Sequence, residues 1–367
     1  MTSAIDSLLQ APAFTTSGPS DAFLAATDEC LALLRSRFPA YAEFLKQRGF
    51  NYSSVAKLEQ LTSLPPIFLP VLKSYAFPIP EATVVAIRLT SSGTTGQPSV
   101  TPLDEIDWKR RTFAMFASYQ ALDLFAGELS ALCFLMDPAT TKMAGSLVID
   151  AVLRHAKQIQ SVSYLARMGM AGPEFAVPAA ITALINAVQT GPVVFIGYPA
   201  LIAGLINGLE KSGMVRFPLP PGSRILTGGG WKSFLPGVSL DQGDFRAKAA
   251  SFFGIPPQTI RDMYGLSECP AVFVQCEQGH YHVPAWAWAQ AIDPETNRDV
   301  PEGENGLLQL TVPLTVSYPL LKILTTDKVQ IRGGCTCGRL APFLQPCGRV
   351  TAARFETCAM KIGKAVT

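Results

Sequence analysis

The sequence predicts an α/β fold, with largely parallel strands alternating with helices, followed by a β-rich second lobe. Three observations carry that expectation. Short β-branched runs at 84–90 (VVAIRLT), 129–136 (LSALCFLM), 193–198 (VVFIGY) and 223–230 (SRILTGGG) are separated by longer stretches of helical spacing, and such alternation argues for parallel strands whose loops build a ligand site. After Gly265 the helical spacing fades and strand runs follow one another (AVFVQC, YHVPAW, GLLQLTV, LLKILTT, DKVQI), with acidic, Gly-rich and Pro-rich turns between them. The chain has 367 residues, 48% hydrophobic and 16% charged, enough to bury a sizeable core and to exclude a disordered or fibrous protein.

In chain order, residues 21–49 place Phe23, Leu24, Cys30, Leu31, Leu34, Phe38, Tyr41, Phe44 and Leu45 at helical spacing, which predicts two amphipathic helices around a turn at Pro39. The apolar stretch 176–208 is broken by Gln189, Gly191, Pro192, Pro199 and Asn207, so it reads as helix, buried strand and helix rather than a membrane span. No internal repeat or low-complexity linker divides the chain. One large unit is expected, with a helical region at 1–80, an α/β lobe at 81–265, a β-rich lobe at 266–350 and a short tail at 351–367. Lys and Arg total 30 against 28 Asp and Glu, with no long basic run, so nothing marks a nucleic-acid partner. The opening MTSAIDSLLQ lacks a basic flank followed by an apolar core, which makes the cytoplasm the default location. In that compartment eight cysteines suggest ligands, nucleophiles or core filler rather than disulfides; Cys30 and Cys133 read as filler.

The sharpest local signal is Ser91-Ser92-Gly93-Thr94-Thr95-Gly96, a hydroxyl- and glycine-rich loop after a strand, able to turn backbone N–H groups and hydroxyls toward a polyphosphate. No Gly-Lys-Ser/Thr follows, which disfavours an ordinary P-loop, and a solvated Ser/Thr turn is the alternative. Downstream lie Leu226 to Lys232 (LTGGGWK), Asp262 to Glu268 (DMYGLSE), Thr325-Thr326-Asp327 and Gly348-Arg349. In this order and spacing the motifs resemble the adenylate-forming superfamily of acyl-CoA synthetases, phenylacetate-CoA ligases and acyl-protein synthetases, over about residues 80–350. The resemblance implies that the Ser91–Gly96 loop holds the β- and γ-phosphates of ATP, that Gly228, Gly229 and Gly230 leave bare backbone for adenine, and that Tyr264, beside Gly265, stacks on it. It further implies that Ser267 bonds the α-phosphate, Glu268 holds Mg²⁺, Asp327 accepts the ribose hydroxyls and Arg349 serves as a ribose or hinge arginine. Phe134, Met136, Met143, Gly145, Ser146, Gly197 and Tyr198 fall where relatives line the acyl site, with core packing as the alternative.

Within the superfamily the Gly-Gly-Gly-Trp-Lys string at 228–232 and the stretch from Cys276 through His282-Val283-Pro284-Ala285-Trp286 resemble the LuxE-type acyl-protein synthetases, which activate a fatty acid within bacterial fatty-acid reductase. Relatives carry a mobile C-terminal domain of about a hundred residues with a catalytic lysine, whereas 18 residues follow Arg349 here; that domain is expected to be absent, and Lys232 becomes the candidate cation, ahead of Lys361 and Lys364. Cys358, between Arg354 and Lys361, is the candidate acyl-accepting thiol, with a passive tail thiol as the alternative.

A second constellation joins Cys276 and His282 to Cys335 and Cys337, ligand types suited to a structural zinc ion, with His280 and Cys347 as competing ligands. The function expected is ATP-dependent activation of a carboxylic acid, a fatty acid first among them, as an acyl-adenylate, followed by transfer to a cysteine of the chain itself or of a reductase or carrier partner. Two alternatives stand beside it: an acyl- or aryl-CoA, carrier-protein or amide ligase, and a non-catalytic nucleotide-binding scaffold.

Overall fold

The computed structural model of the chain describes residues 3–91, 98–170, 172–231 and 240–350. Its N-terminal arm is helical: α1 (Ala4–Leu8), α2 (Asp21–Arg37), α3 (Pro39–Gln47) and α4 (Leu58–Ser63). The Ser20 hydroxyl accepts the Phe23 amide at the start of α2, and Pro39 opens α3 where its missing N–H is no loss, so the turn expected at Pro39 is a helix junction. A short strand β1 (Ile67–Phe68), a 3-10 turn (Leu69–Lys73), a hairpin of β2 (Ile87–Thr90) and β3 (Val100–Leu103), and α5 (Glu105–Gln120) follow.

The α/β half then runs β4 (Leu129–Met136), α6 (Ala144–His155), β5 (Ile159–Gly169), β6 (Gly172–Phe175), α7 (Val177–Thr190), β7 (Val193–Gly197), α8 (Pro199–Lys211), β8 (Arg224–Gly228), α9 (Gln242–Phe253) and β9 (Ile260–Gly265). The last part is β10 (Val272–Gln275), β11 (Tyr281–His282), β12 (Trp288–Ile292), β13 (Gly306–Thr311), β14 (Lys322–Arg332) and β15 (Phe343–Arg349). The runs of β4 and β7, apolar but for Ser130, are buried along their whole length, as central parallel strands covered on both faces require.

Among the described residues thirteen strands form one sheet, ordered β12-β13-β14-β15-β11-β10-β9-β8-β7-β4-β5-β6, with β1 laid parallel against β14. Pairing is parallel from β5 through β4, β7 and β8 to β9 and antiparallel from β9 to β12. The change falls at Gly265, where the sequence placed a lobe boundary, yet pairs such as Tyr264 with Phe273 cross it. The two lobes therefore share a sheet.

Three expectations are corrected. The first β-branched run does not join the parallel series: only Ile87–Thr90 is strand, paired with β3 in a separate two-stranded sheet. LLKILTT and DKVQI are one strand, β14, so Thr325 to Asp327 lie inside it rather than in a turn. The long strand β5 and its partner β6 went unread, because an edge hairpin with both faces part-exposed shows little apolar patterning.

One buried carboxylate ties these parts together. Asp107, on α5, accepts the Val316 amide at 2.7 Å and both the Ser317 amide and hydroxyl at 2.6 Å, and it faces Arg110, which also pairs with Asp6 of α1. Asp107→Ala leaves those donors and part of the Arg110 charge unmatched, and is expected to lower the unfolding free energy by about 3 kcal/mol in a urea titration, with Asp107→Asn losing less because its amide oxygen still accepts.

Candidate active site

Loops leaving the C-terminal ends of β7, β8 and β9 meet around a cavity of about 800 Å³, the place where open sheets of parallel strands bind ligands. Gly197 and Tyr198 come from the first loop, Gly228, Gly229 and Gly230 from the second, and Tyr264 to Glu268 from the third. Thr325 to Asp327 of β14 and Arg349 of β15 close the antiparallel side. The glycines are needed for shape. A Cβ on Gly228 would stand 2.5 Å from Met263 Cγ, and Gly229 and Gly230 hold φ values of +74° and +65°, which favour glycine.

The polar end is cross-linked. Arg349 Nε donates to Asp327 Oδ1 and the Tyr264 hydroxyl donates to Oδ2, both at 2.5 Å, so the aspartate expected to meet ribose already has one bond on each oxygen, with a second lone pair on each. Ser267 Oγ donates to Glu268 Oε2 at 2.8 Å, and Ser99 Oγ donates to Glu268 Oε1. Ser99 is in turn paired with Ser91, amide to hydroxyl at 2.9 Å and carbonyl to amide at 3.1 Å. The two legs of the hydroxyl-rich loop are thereby pinned to each other and to Glu268. Ser92, Gly93, Thr94, Thr95 and Gly96 lie outside the described residues, as do Lys232 and Cys358.

The other end is apolar: Met115 of α5, Leu135 of β4, and Met143, Gly145, Val148 and Ile149 at and along α6. Of the residues expected at an acyl site, Met143, Gly145, Gly197 and Tyr198 line the cavity. Phe134, Met136 and Ser146 do not; they are completely buried. Phe134 packs on Phe175 and Phe195, and the parity of β4 explains the error, since Leu135, pointing the opposite way, is the residue on the wall.

Sequence reading missed three charged side chains that line the cavity: Arg111, Asp262 and Lys73. Arg111 donates from Nη2 to the Leu266 carbonyl and from Nη1 to the Ser267 carbonyl, both at 2.9 Å, and burial pulls its pKa down to about 10. Asp262 accepts the Thr227 hydroxyl at 2.5 Å and the Tyr281 hydroxyl at 2.6 Å, and burial raises its carboxyl to about 6, against the lowering effect of those bonds. Lys73 ends the 3-10 turn that β1 delivers beside β14. A cation placed four residues before Met115 on a helix just downstream of the hydroxyl-rich loop was the available signal for Arg111.

On the far side of Tyr281, Cys276, His282, Cys335 and Cys337 bring four ligand atoms within 4.8 Å of one another. Cys337 Sγ is 3.2 Å from His282 Nε2, and Cys276 Sγ is 3.8 Å from Cys335 Sγ. His282 Nδ1 lies 3.0 Å from the Ala341 carbonyl, which fixes that nitrogen as the donor and leaves Nε2 to coordinate. His280 stacks on Phe343 at 4.1 Å with Nδ1 3.1 Å from Cys335 Sγ, whereas Cys347 is exposed on β15 and bonds the Gln345 carbonyl. Cys30, Cys133 and Cys269 are buried singly, and burial holds their thiols above the usual range.

Residues 41–367 match the family described as Acyl-protein synthetase, LuxE. The chain is 24% identical over 330 residues to the long-chain-fatty-acid–luciferin-component ligase of Vibrio harveyi, an alignment covering 89% of this chain and 83% of that protein. It is 34% identical over 134 residues to the ligase of the same name from Aliivibrio fischeri, covering 36% of this chain and 35% of that protein. Among solved structures it resembles 2-hydroxyisobutyryl-CoA ligase in an open conformation with 2-HIB-AMP and CoA, at a TM-score of 0.69 and 18% identity, covering 89% of this chain and 74% of that one. This last likeness is one of fold.

The Asp262 carboxyl yields a test of the site's electrostatics. Because its folded pKa lies above the ordinary value, folding takes up a proton between about pH 4 and 6, and the stability it contributes is lost as pH rises through that window. Asp262→Asn is expected to remove roughly 2 kcal/mol of the fall in unfolding free energy between pH 4 and pH 7, read from urea titrations at each pH; equal pH slopes for the two proteins would show an ordinary carboxyl.

Proposed function

The chain belongs to the LuxE family of acyl-protein synthetases, and on that basis we propose that it activates a long-chain fatty acid with ATP and passes the acyl group to a protein thiol. The observation that carries the reading is the two-ended cavity. One cavity is lined both by the apolar Met115, Leu135, Met143, Val148 and Ile149 and by Ser267, Glu268, Asp327 and bare glycine backbone, which suits a fatty chain whose carboxylate must meet a nucleotide.

In the adenylation step a carboxylate oxygen attacks the α-phosphorus; the new O–P bond forms as the bond to pyrophosphate breaks, and pyrophosphate leaves with the electron pair. Gly228 to Gly230 and Tyr264 receive adenine, Asp327 with Arg349 receives ribose, and the Ser267 hydroxyl bonds the α-phosphate. Ser91 starts the loop that holds the outer phosphates. Glu268 is an oxygen ligand on the cavity wall, held from both sides by Ser99 and Ser267, a donor that suits Mg²⁺; the ion when bound neutralises phosphate charge. In the second step a thiolate attacks the acyl carbon, the bond to AMP breaks, and a thioester forms. Cys358 is the proposed first acceptor and Lys232 the proposed cation beside the phosphates, both on the family resemblance. A reductase or carrier protein in the cytoplasm takes the acyl group onward. No described helix is long and apolar enough to cross a membrane.

Cys276, His282, Cys335 and Cys337 fit a structural zinc ion in donor type, number and spacing. Bound there, zinc would hold the β10–β11 hairpin against the turn at 335–337.

Incubation with ATP, Mg²⁺ and a series of fatty and aryl acids, following pyrophosphate and intact protein mass, tests the activity. Pyrophosphate release with fatty acids and an acyl adduct that Cys358→Ser abolishes are expected; release with no adduct on any variant moves the acceptor to coenzyme A, a carrier thiol or an amine, and no release with any acid refutes the reading. Purified protein is also expected to hold one equivalent of zinc and to lose both zinc and thermal stability on Cys335→Ser, while a metal-free wild type of equal stability would refute a structural ion.

A further inference from the structure

The two ends of the cavity meet at Arg111. This residue lies one turn before Met115 on α5, is 8% exposed and lines the cavity wall. The arginines nearest it in sequence and in the site have anionic partners: Arg110 pairs with Asp6 and Asp107, and Arg349 with Asp327. Arg111 is different. Among the described residues its guanidinium bonds only the Leu266 and Ser267 carbonyls and forms no ion pair with an aspartate or glutamate, the Glu268 charge acting on it without a direct contact. Those two bonds use two of its five N–H donors and leave three. A buried cation without an ion-pair partner is costly, and such groups gather where a ligand brings an anion into contact.

Position selects the anion. On the apolar side the wall of Met115, Leu135, Met143, Val148 and Ile149 contains no charge, and Arg111 stands where that wall ends. On the polar side it holds the peptide of Ser267, the residue assigned to the α-phosphate. A fatty acid with its chain along the apolar wall therefore presents its carboxylate to Arg111, next to the phosphorus it attacks.

Resting on the acid-activating function proposed above, we propose that Arg111 binds the substrate carboxylate and orients it toward the α-phosphorus. The same side chain fixes the turn that bears Ser267 and Glu268, so carboxylate and phosphate sites are held in register by one guanidinium. One carboxylate oxygen is held while the other makes the new bond to phosphorus, and the arginine keeps its protons throughout.

The experiment compares wild type with Arg111→Met and Arg111→Lys. Equilibrium binding of a long-chain fatty acid and of the fatty alcohol of equal length is measured by fluorescence, with KM for acid and for ATP from pyrophosphate release. The expected result is that Arg111→Met weakens acid binding roughly 10- to 100-fold, as removal of a charged hydrogen-bond partner does, leaves alcohol binding unchanged, and shifts KM for ATP far less than KM for the acid. Arg111→Lys, which keeps the buried cation, is expected to fall between. Acid and alcohol weakening together in both variants would mean that Arg111 only supports the turn, and a rise confined to KM for ATP would assign its charge to the nucleotide; either result overturns the proposal. Because the binding comparison needs no turnover, wild type that binds acid over alcohol through Arg111 but releases no pyrophosphate would instead refute the acid-activating function.

Discussion

The antiparallel pairing of β10 onto β9 is the constraint on which the site depends. Parallel strands deliver loops to one end of a sheet, but alone they place only one wall of a pocket. Here Gly265, Tyr264 and Met263 pair with Val272, Phe273 and Val274, so the chain that leaves β9 must return within six residues. That short return carries Leu266, Ser267 and Glu268 and brings the antiparallel strands, with Asp327 and Arg349, around to face the glycine loop after β8. The turn is then pinned from outside the sheet, by Arg111 on its carbonyls and by Ser99 on the Glu268 carboxylate. A flexible connection could carry the same residues but would pay in ordering entropy each time a nucleotide bound.

The cysteine and histidine cluster belongs to the same construction. Cys276 and His282 directly follow Gln275 and Tyr281, which face each other across β10 and β11. Gln275 Oε1 accepts the Asp262 amide at 2.9 Å, and the Tyr281 hydroxyl reaches the Asp262 carboxylate. The strands that supply the cluster thus also brace the buried acid on the cavity wall. A two-residue strand such as β11 has little hydrogen bonding of its own to keep it in register, and side-chain ligation at its end supplies what the ladder lacks.

How much of this was legible in the sequence follows from how strongly each residue's surroundings are encoded locally. The buried strands β4 and β7 were legible because an unbroken apolar run has few other places to go. The glycine turn after β8 was legible because its residue type is rare in regular structure. What an apolar run does not encode is parity: with six consecutive apolar residues from Ala131 to Met136 in β4, nothing in the sequence separates Leu135, on the cavity, from Phe134 and Met136, in the core. The edge strands β5 and β6 lacked an apolar face to announce them. LLKILTT and DKVQI read as two runs, whereas the pairing of β14 with β13 and β15 makes them one strand that contains Asp327. Arg111 was hidden among the charges of WKRRTF, where Lys109 is exposed and bonded to Glu105 and Arg110 is structural; only the packing of α5 tells the three apart.

The buried charges of the site work against folding, and that is informative about its use. Asp262, Asp327 and Arg111 are each held below a tenth to a third of full exposure, and each would lie more cheaply in water. Asp327 is compensated by Arg349 and Tyr264, and Asp262 by two hydroxyls, so both are acids whose oxygens are satisfied yet still face the cavity. Arg111 is compensated by carbonyl dipoles and, without an ion pair, by the nearby Glu268 charge. If the cavity were a packing defect, a chain of this composition would close it with apolar side chains at lower cost, since neutral, well-packed replacements for buried charges are often as stable or more so. An anionic ligand changes that balance: a carboxylate or phosphate entering the cavity meets an arginine already stripped of water and already aimed, and so avoids the reorganisation that a solvated cation would require in the reaction itself.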